Sequence, residues 1–154
     1  MRAARRIGLK AALLAVLTTS IATIALQAPA SAAACSGASC YGRNPEGLCS
    51  SDATGLLGRD YINGSSSFRV ELRYSPSCQA GWMRLIVYPG SGGSGFAMSA
   101  WNQGGPSTGF AQSNSGTSWT NMIDGSPGKS ICGGTHLYFN GAYRGWYDPG
   151  CAYR

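Results

Sequence analysis

Ser67-Phe68-Arg69-Val70-Glu71-Leu72-Arg73-Tyr74 carries the pattern from which the fold is read. Phe68, Val70 and Leu72 fall on one side of an extended chain, and Arg69, Glu71 and Arg73 on the other. Strict alternation of this kind marks a half-buried β-strand. Pro76 and Cys78 then turn the chain, and Trp82 to Tyr88 follows as a second strand. That strand is apolar at nearly every position except Arg84, as expected of a strand that sits centrally. The short gap between the two suits an antiparallel pair.

The same signals continue outward. Pro89 to Gly95 and Asn102 to Gly109 read as glycine-rich turns flanking a strand at Phe96 to Trp101. Ser118 to Ile123 is a further strand, ended by Asp124-Gly125, whereas residues 110–116 fit no pattern. Thr135 to Phe139 and Ala142 to Tyr147 flank Asn140-Gly141, the strongest hairpin dipeptide. Upstream, residues 35–53 form an irregular cysteine-rich segment, with a short helical turn expected near Ser51 to Thr54. No segment sustains helical periodicity. Short strands at regular spacing predict an all-β protein, a small antiparallel sandwich or barrel stapled by disulfides.

The first residues carry a different message. Arg2, Arg5, Arg6 and Lys10 precede an uncharged, mostly apolar run from Ala11 to Leu26, and Ala30 and Ala32 supply small side chains at a cleavage site. This is the layout of an export signal over residues 1–32, leaving one secreted domain at 33–154. The apolar run is short of the roughly 20 residues that span a bilayer. Arg5-Arg6 partly fits a twin-arginine route, although disulfide acquisition suits the general secretory one. Cys35 lacks the upstream leucine that a lipoprotein anchor requires.

Removing the signal changes the charge reading. The whole chain is at +6, but four of its 12 basic residues and none of its six acidic ones lie in the signal. The remaining domain is near neutral, with its arginines scattered, and has no nucleic-acid footprint. Six cysteines remain: Cys35, Cys40, Cys49, Cys78, Cys132 and Cys151. An even count in an exported chain predicts three disulfides. The spacing of zinc motifs is absent, so no metal or other cofactor is expected. Cys132 and Cys151 flank a hairpin and are expected to pair; the other four allow three arrangements. All 4 Trp, 8 Tyr and 4 Phe follow residue 40, which gives a glycine-rich chain the means to build a core.

Three separated stretches resemble the YjfA-like family of Gram-positive bacteria, especially actinomycetes. They are Cys35 to Pro45 with Cys49 and Asp52-Ala53, then Val70 to Cys78 with Ala80, Trp82 and Arg84, then Trp119 to Ile123. The resemblance implies a secreted, compact, cysteine-rich domain and no particular activity. It covers most of residues 35–132; the segment after Cys132 is less typical.

Candidate chemistry is sparse. His136 is the only histidine. A triad with Asp124 or Asp148 lacks a nucleophile-elbow motif, and Asn44, Glu46 and Asp52 lack the regular spacing of a calcium loop. Glu71, Arg73, Arg84 and His136 are the residue types of a small ribonuclease-like hydrolase or toxin. The simpler reading of Arg69, Glu71 and Arg73 is a solvated face with cross-strand ion pairs. Aromatic residues crowd the C-terminal segment, so Tyr143, Arg144, Trp146 and Tyr147 are the candidate ligand contacts, while Trp82, Trp101 and Trp119 are assigned to the core. The expected function is non-catalytic binding in the extracellular space or envelope, with a cell-wall glycan or a protein as partner, or a purely structural surface role. Neither nucleic acid nor, after cleavage, a membrane is expected as a partner.

Overall fold

The computed structural model describes residues 34–92, 94–113 and 115–154. The export signal read at residues 1–32 lies outside them. Ten strands form two antiparallel sheets packed face to face. Sheet A contains β1 (Thr54–Asn63), β2 (Ser66–Ser75), β3 (Ala80–Val87), β6 (Gly116–Trp119) and β7 (Ile123–Asp124). Sheet B contains β4 (Ser94–Trp101), β5 (Ser107–Ser113), β8 (Ser130–Phe139), β9 (Ala142–Tyr147) and β10 (Cys151–Tyr153). In sheet A the order is β1-β2-β3-β6, with β7 also on β3; in sheet B it is β10-β8-β4-β5, with β9 also on β8.

Alternation in β2 does what the sequence predicts. Phe68, Val70, Leu72 and Tyr74 point inward and are buried, joined by Met83, Leu85 and Val87 of β3. Phe96, Met98, Ala100, Ile131 and Leu137 meet them from sheet B. The sheets come close where Gly133 faces Leu72 and Met83; a Cβ there would sit 2.9 Å from Leu72 Cδ2. Burial of these side chains is the main driving term for a domain this small.

A second buried cluster explains why β3 is apolar on both faces. Cys35, Cys40, Cys49, Cys78, Ala80, Trp82 and Met122 pack together beneath residues 35–53, which fold as a lobe over the outer face of sheet A. The lobe starts with a 3₁₀ turn, Gly37–Cys40. Backbone bonds fix it to the sheet, from Gly37 N–H to Cys78 O (2.8 Å), from Gly42 N–H to Met122 O (2.9 Å) and from Met122 N–H to Arg43 O (2.8 Å). The three disulfides are Cys35–Cys40, Cys49–Cys78 and Cys132–Cys151. The last is the expected pair; the first two resolve the arrangement the sequence left open.

Several details depart from expectation. No helical turn forms near Ser51 to Thr54; the chain turns and enters β1. The strand expected at Ser118 to Ile123 is split into β6 and β7, because Thr120 turns its hydroxyl to the ladder and accepts the Met83 N–H at 3.1 Å. The unassigned stretch near residue 110 belongs to β5. The Asn140-Gly141 turn has positive φ at both residues, 50° and 76°, as a tight hairpin turn requires. Among the described residues, no helix is long and apolar enough to cross a membrane.

Candidate ligand-binding face

The C-terminal aromatic residues divide between two faces, and the register shows why. In β9, Trp146 lies opposite His136 and Tyr143 opposite Tyr138, all on the outer face of sheet B. Tyr147 lies opposite Thr135, on the inner face. A register shift between Leu137 and Tyr138 leaves Arg144 as an extra residue with no partner across the ladder. Tyr143 and Trp146 therefore share a face even though the bulge breaks simple alternation.

Trp101 completes that face from β4. The rings run as a continuous row. Centroids are 5.9 Å apart for Trp101 and Trp146, 4.6 Å for Trp146 and His136, 5.6 Å for His136 and Tyr143, and 5.9 Å for Tyr143 and Tyr138. Tyr143 is 57% exposed and Trp146 36%. Beside the row, the outward positions of β4 are Gly95, Ala97 and Ser99, so a shelf of small residues borders a ridge of rings. Along β8 the row spans about 20 Å, at ~3.3 Å per residue.

Trp146 is held flat. Its Nε1–H donates to Asp148 Oδ2 at 2.7 Å. Its ring lies over Gly134, where a Cβ would come within 2.2 Å of Cζ2. Asp148 is itself fixed, because its Oδ1 accepts the Gly150 N–H at 3.0 Å and its carbonyl accepts the Tyr61 hydroxyl. His136 Nδ1 is buried without a hydrogen-bond partner among the described residues.

Two of the four residues named from sequence do not belong to this face. Tyr147 packs inward, with ring centroids 5.0 Å from Tyr61 and 5.1 Å from Phe68, and its hydroxyl accepts from Asn63 Nδ2. Arg144 is carried by the bulge to a surface cleft near Asn63 to Ser66. The core assignment holds for Trp82, which is buried in the cluster under the lobe, and needs correction for the other two tryptophans. Trp101 is half-buried on the outer face, and Trp119 is half-buried at the lobe edge, its Nε1–H donating to Asn44 Oδ1 at 2.9 Å.

The hydrolase constellation is not assembled. Glu71, Arg73 and Arg84 lie on the outer face of sheet A, and His136 lies on the outer face of sheet B, with the core between them. Glu71 is instead the centre of an ion-pair cluster. It accepts Arg69 Nε at 2.6 Å and Arg84 Nη2 at 2.5 Å, while Arg69 Nη1 reaches Asp60 at 2.6 Å. Burial pushes the Glu71 carboxyl up, but the hydrogen bonds and charges of both arginines outweigh it and hold its pKa below the ordinary glutamate value. A carboxylate so neutralised is a poor general base.

A family model described as a protein of unknown function, DUF2690, matches residues 38–132. The chain belongs to this family. No curated protein and no solved structure matches it. The DUF2690 span takes in nearly all of the lobe, all of sheet A, β4, β5 and the first residues of β8. His136, Tyr138, Tyr143 and Trp146 lie beyond it, so most of the aromatic row is contributed by the segment after the DUF2690 match. The sequence pointed to that segment through aromatic crowding. It placed Trp101 in the core, weighed His136 only for catalysis and did not single out Tyr138 from the crowded aromatics; the membership of all three in the row depends on strand pairing.

Proposed function

We propose that this DUF2690 protein is an exported, non-catalytic domain that binds a neutral polysaccharide of the cell surface along the outer face of sheet B. The observation that carries this reading is the row Trp101, Trp146, His136, Tyr143 and Tyr138 on the outer face, exposed at Tyr143 and Trp146, half-buried at the other three, and bordered by glycine, alanine and serine. Neighbouring rings are spaced about one sugar ring apart. The apolar faces of pyranose rings lie well on such rings, and the small-residue shelf leaves room for their edges. A protein partner would be served better by pockets that bury anchoring side chains, and this face is a ridge. Export is supported by the signal-like residues 1–32 and by six cysteines joined as disulfides. The likeness to YjfA-like secreted domains of actinomycetes points the same way.

The test is co-sedimentation of the purified domain with insoluble cell-wall glycan. Trp146→Ala and Tyr143→Ala should each weaken retention roughly tenfold, the value of one well-packed aromatic contact, with circular dichroism unchanged. Undiminished retention by both variants would rule the row out.

A further inference from the structure

We infer that the pocket between the lobe and the outer face of sheet A is a second binding site, built for a small ring compound bearing one carboxylate, such as a sugar acid. It lies on the opposite side of the sandwich from the aromatic row and does not depend on the reading given to that row. The pocket has a volume of about 160 Å³, enough for a single ring. Trp82 and Trp119 wall it, Arg73 and Arg84 line it, and Glu46 and Ser50 stand on the lobe side.

Charge pairing around the pocket leaves one guanidinium over. Glu71 serves Arg69 and Arg84, and Asp60 serves Arg69. Arg73 enters no ion pair among the described residues. Its Nη2–H donates to the Ala53 carbonyl at 2.6 Å, and its remaining donors are unclaimed by any carboxylate. Holding a half-buried guanidinium next to another is unfavourable, and burial followed by the Arg84 charge draws the Arg73 pKa below the ordinary arginine value, with the Glu71 charge offsetting only part of the effect. A ligand carboxylate would relieve this directly, since guanidinium–carboxylate hydrogen bonds are among the strongest available.

The other walls narrow the ligand. Two indoles favour an apolar ring face beside the charge. Glu46 opposes a dianion but can accept hydrogen bonds from hydroxyls. A singly charged, hydroxyl-bearing ring fits this set better than sulfate or phosphate. Every residue named as lining the pocket lies within the DUF2690 span, whereas most of the aromatic row does not. The pocket is therefore the site that the matched part of the chain builds without its C-terminal hairpin.

The experiment is an NMR titration of the disulfide-bonded, ¹⁵N-labelled protein with glucuronate, glucose and sulfate. Glucuronate should shift the indole N–H signals of Trp82 and Trp119 saturably, glucose should leave them in place at equal concentration, and sulfate should bind more weakly than glucuronate. Arg73→Gln should weaken glucuronate binding roughly tenfold or more, and Trp146→Ala should not alter it. Arg84 is left intact because its removal would strip Glu71 of a partner. Equal shifts with glucose, glucuronate shifts confined to Trp101 and Trp146, or unchanged affinity in a folded Arg73→Gln variant would each overturn the proposal. If that variant does not fold, the contrast between glucuronate and glucose on the unmodified protein still decides.

Discussion

At Gly134 a missing side chain sets the height of the aromatic row. The Trp146 indole occupies the space above it, with Cζ2, Cη2 and Cε2 all within 2.8 Å of where a Cβ would stand. Any larger residue must lift the ring. The ring is the outer end of a partly exposed side chain, so it can move without disturbing the core, and alanine suits a strand better than glycine. The Nε1–H bond to Asp148 would be lost as the indole lifts. Gly134→Ala should therefore change stability by less than about 1 kcal/mol, because the lost bond and the strand preference offset each other. Glycan retention should fall nearly as far as in Trp146→Ala, with a red shift in tryptophan emission. Wild-type retention by Gly134→Ala would mean that the flat seating of Trp146 is irrelevant to binding.

At the scale of elements, the lobe is the part least able to hold itself together. It has one short 3₁₀ turn and a few backbone bonds, and its buried contacts are largely cysteine sulfurs. Its two disulfides differ in what they constrain. Cys49–Cys78 joins residues 29 apart and ties the lobe to the β2–β3 connection; Cys35–Cys40 joins residues five apart within the lobe. Loop-closure entropy assigns about 3–4 kcal/mol to the first and about 2 kcal/mol to the second. Urea unfolding should show a clearly lower midpoint for Cys49→Ala/Cys78→Ala than for Cys35→Ala/Cys40→Ala. Equal midpoints, or the reverse order, would place the lobe's stability in packing around the sulfurs rather than in cross-linking. The same scale shows what sequence could reveal. β2 was legible because one face is core and the other solvent, so burial imposes period two. β1 was not, because it is an edge strand with a bulge between Gly55 and Leu57, and its apolar residues Leu56, Leu57, Tyr61 and Ile62 follow no single period. Ile62 is 81% exposed, so apolar character there carries no information about facing. The site was half legible for a related reason. Crowding located Tyr143 and Trp146, but the bulge at Arg144 made Tyr147 an inward residue, and a one-residue slip reverses every facing that follows.

Across the whole molecule, the ion-pair cluster and the aromatic row lie on different sheets. Arg69, Glu71, Arg84 and Asp60 belong to sheet A with Arg73 beside them, whereas the carboxylate that touches the row on sheet B, Asp148, is already engaged by the Trp146 indole N–H and the Gly150 N–H. Binding along the row should depend on ring contact and apolar burial, which salt does not weaken. Contacts to a polyanion would instead release counterions and weaken steeply as salt rises. The row also has a finite length of about 20 Å, estimated from the rise along β8. Affinity for soluble neutral oligosaccharides should therefore climb with chain length, then level off at on the order of four sugar units, where the ligand reaches both Trp101 and Tyr143. Calorimetry over an oligosaccharide series, repeated at low and high sodium chloride, measures both properties together. A plateau at a single sugar would reduce the site to one ring and leave the rest of the row without a role. A steep loss of affinity with salt would move the binding surface to the charged face of sheet A.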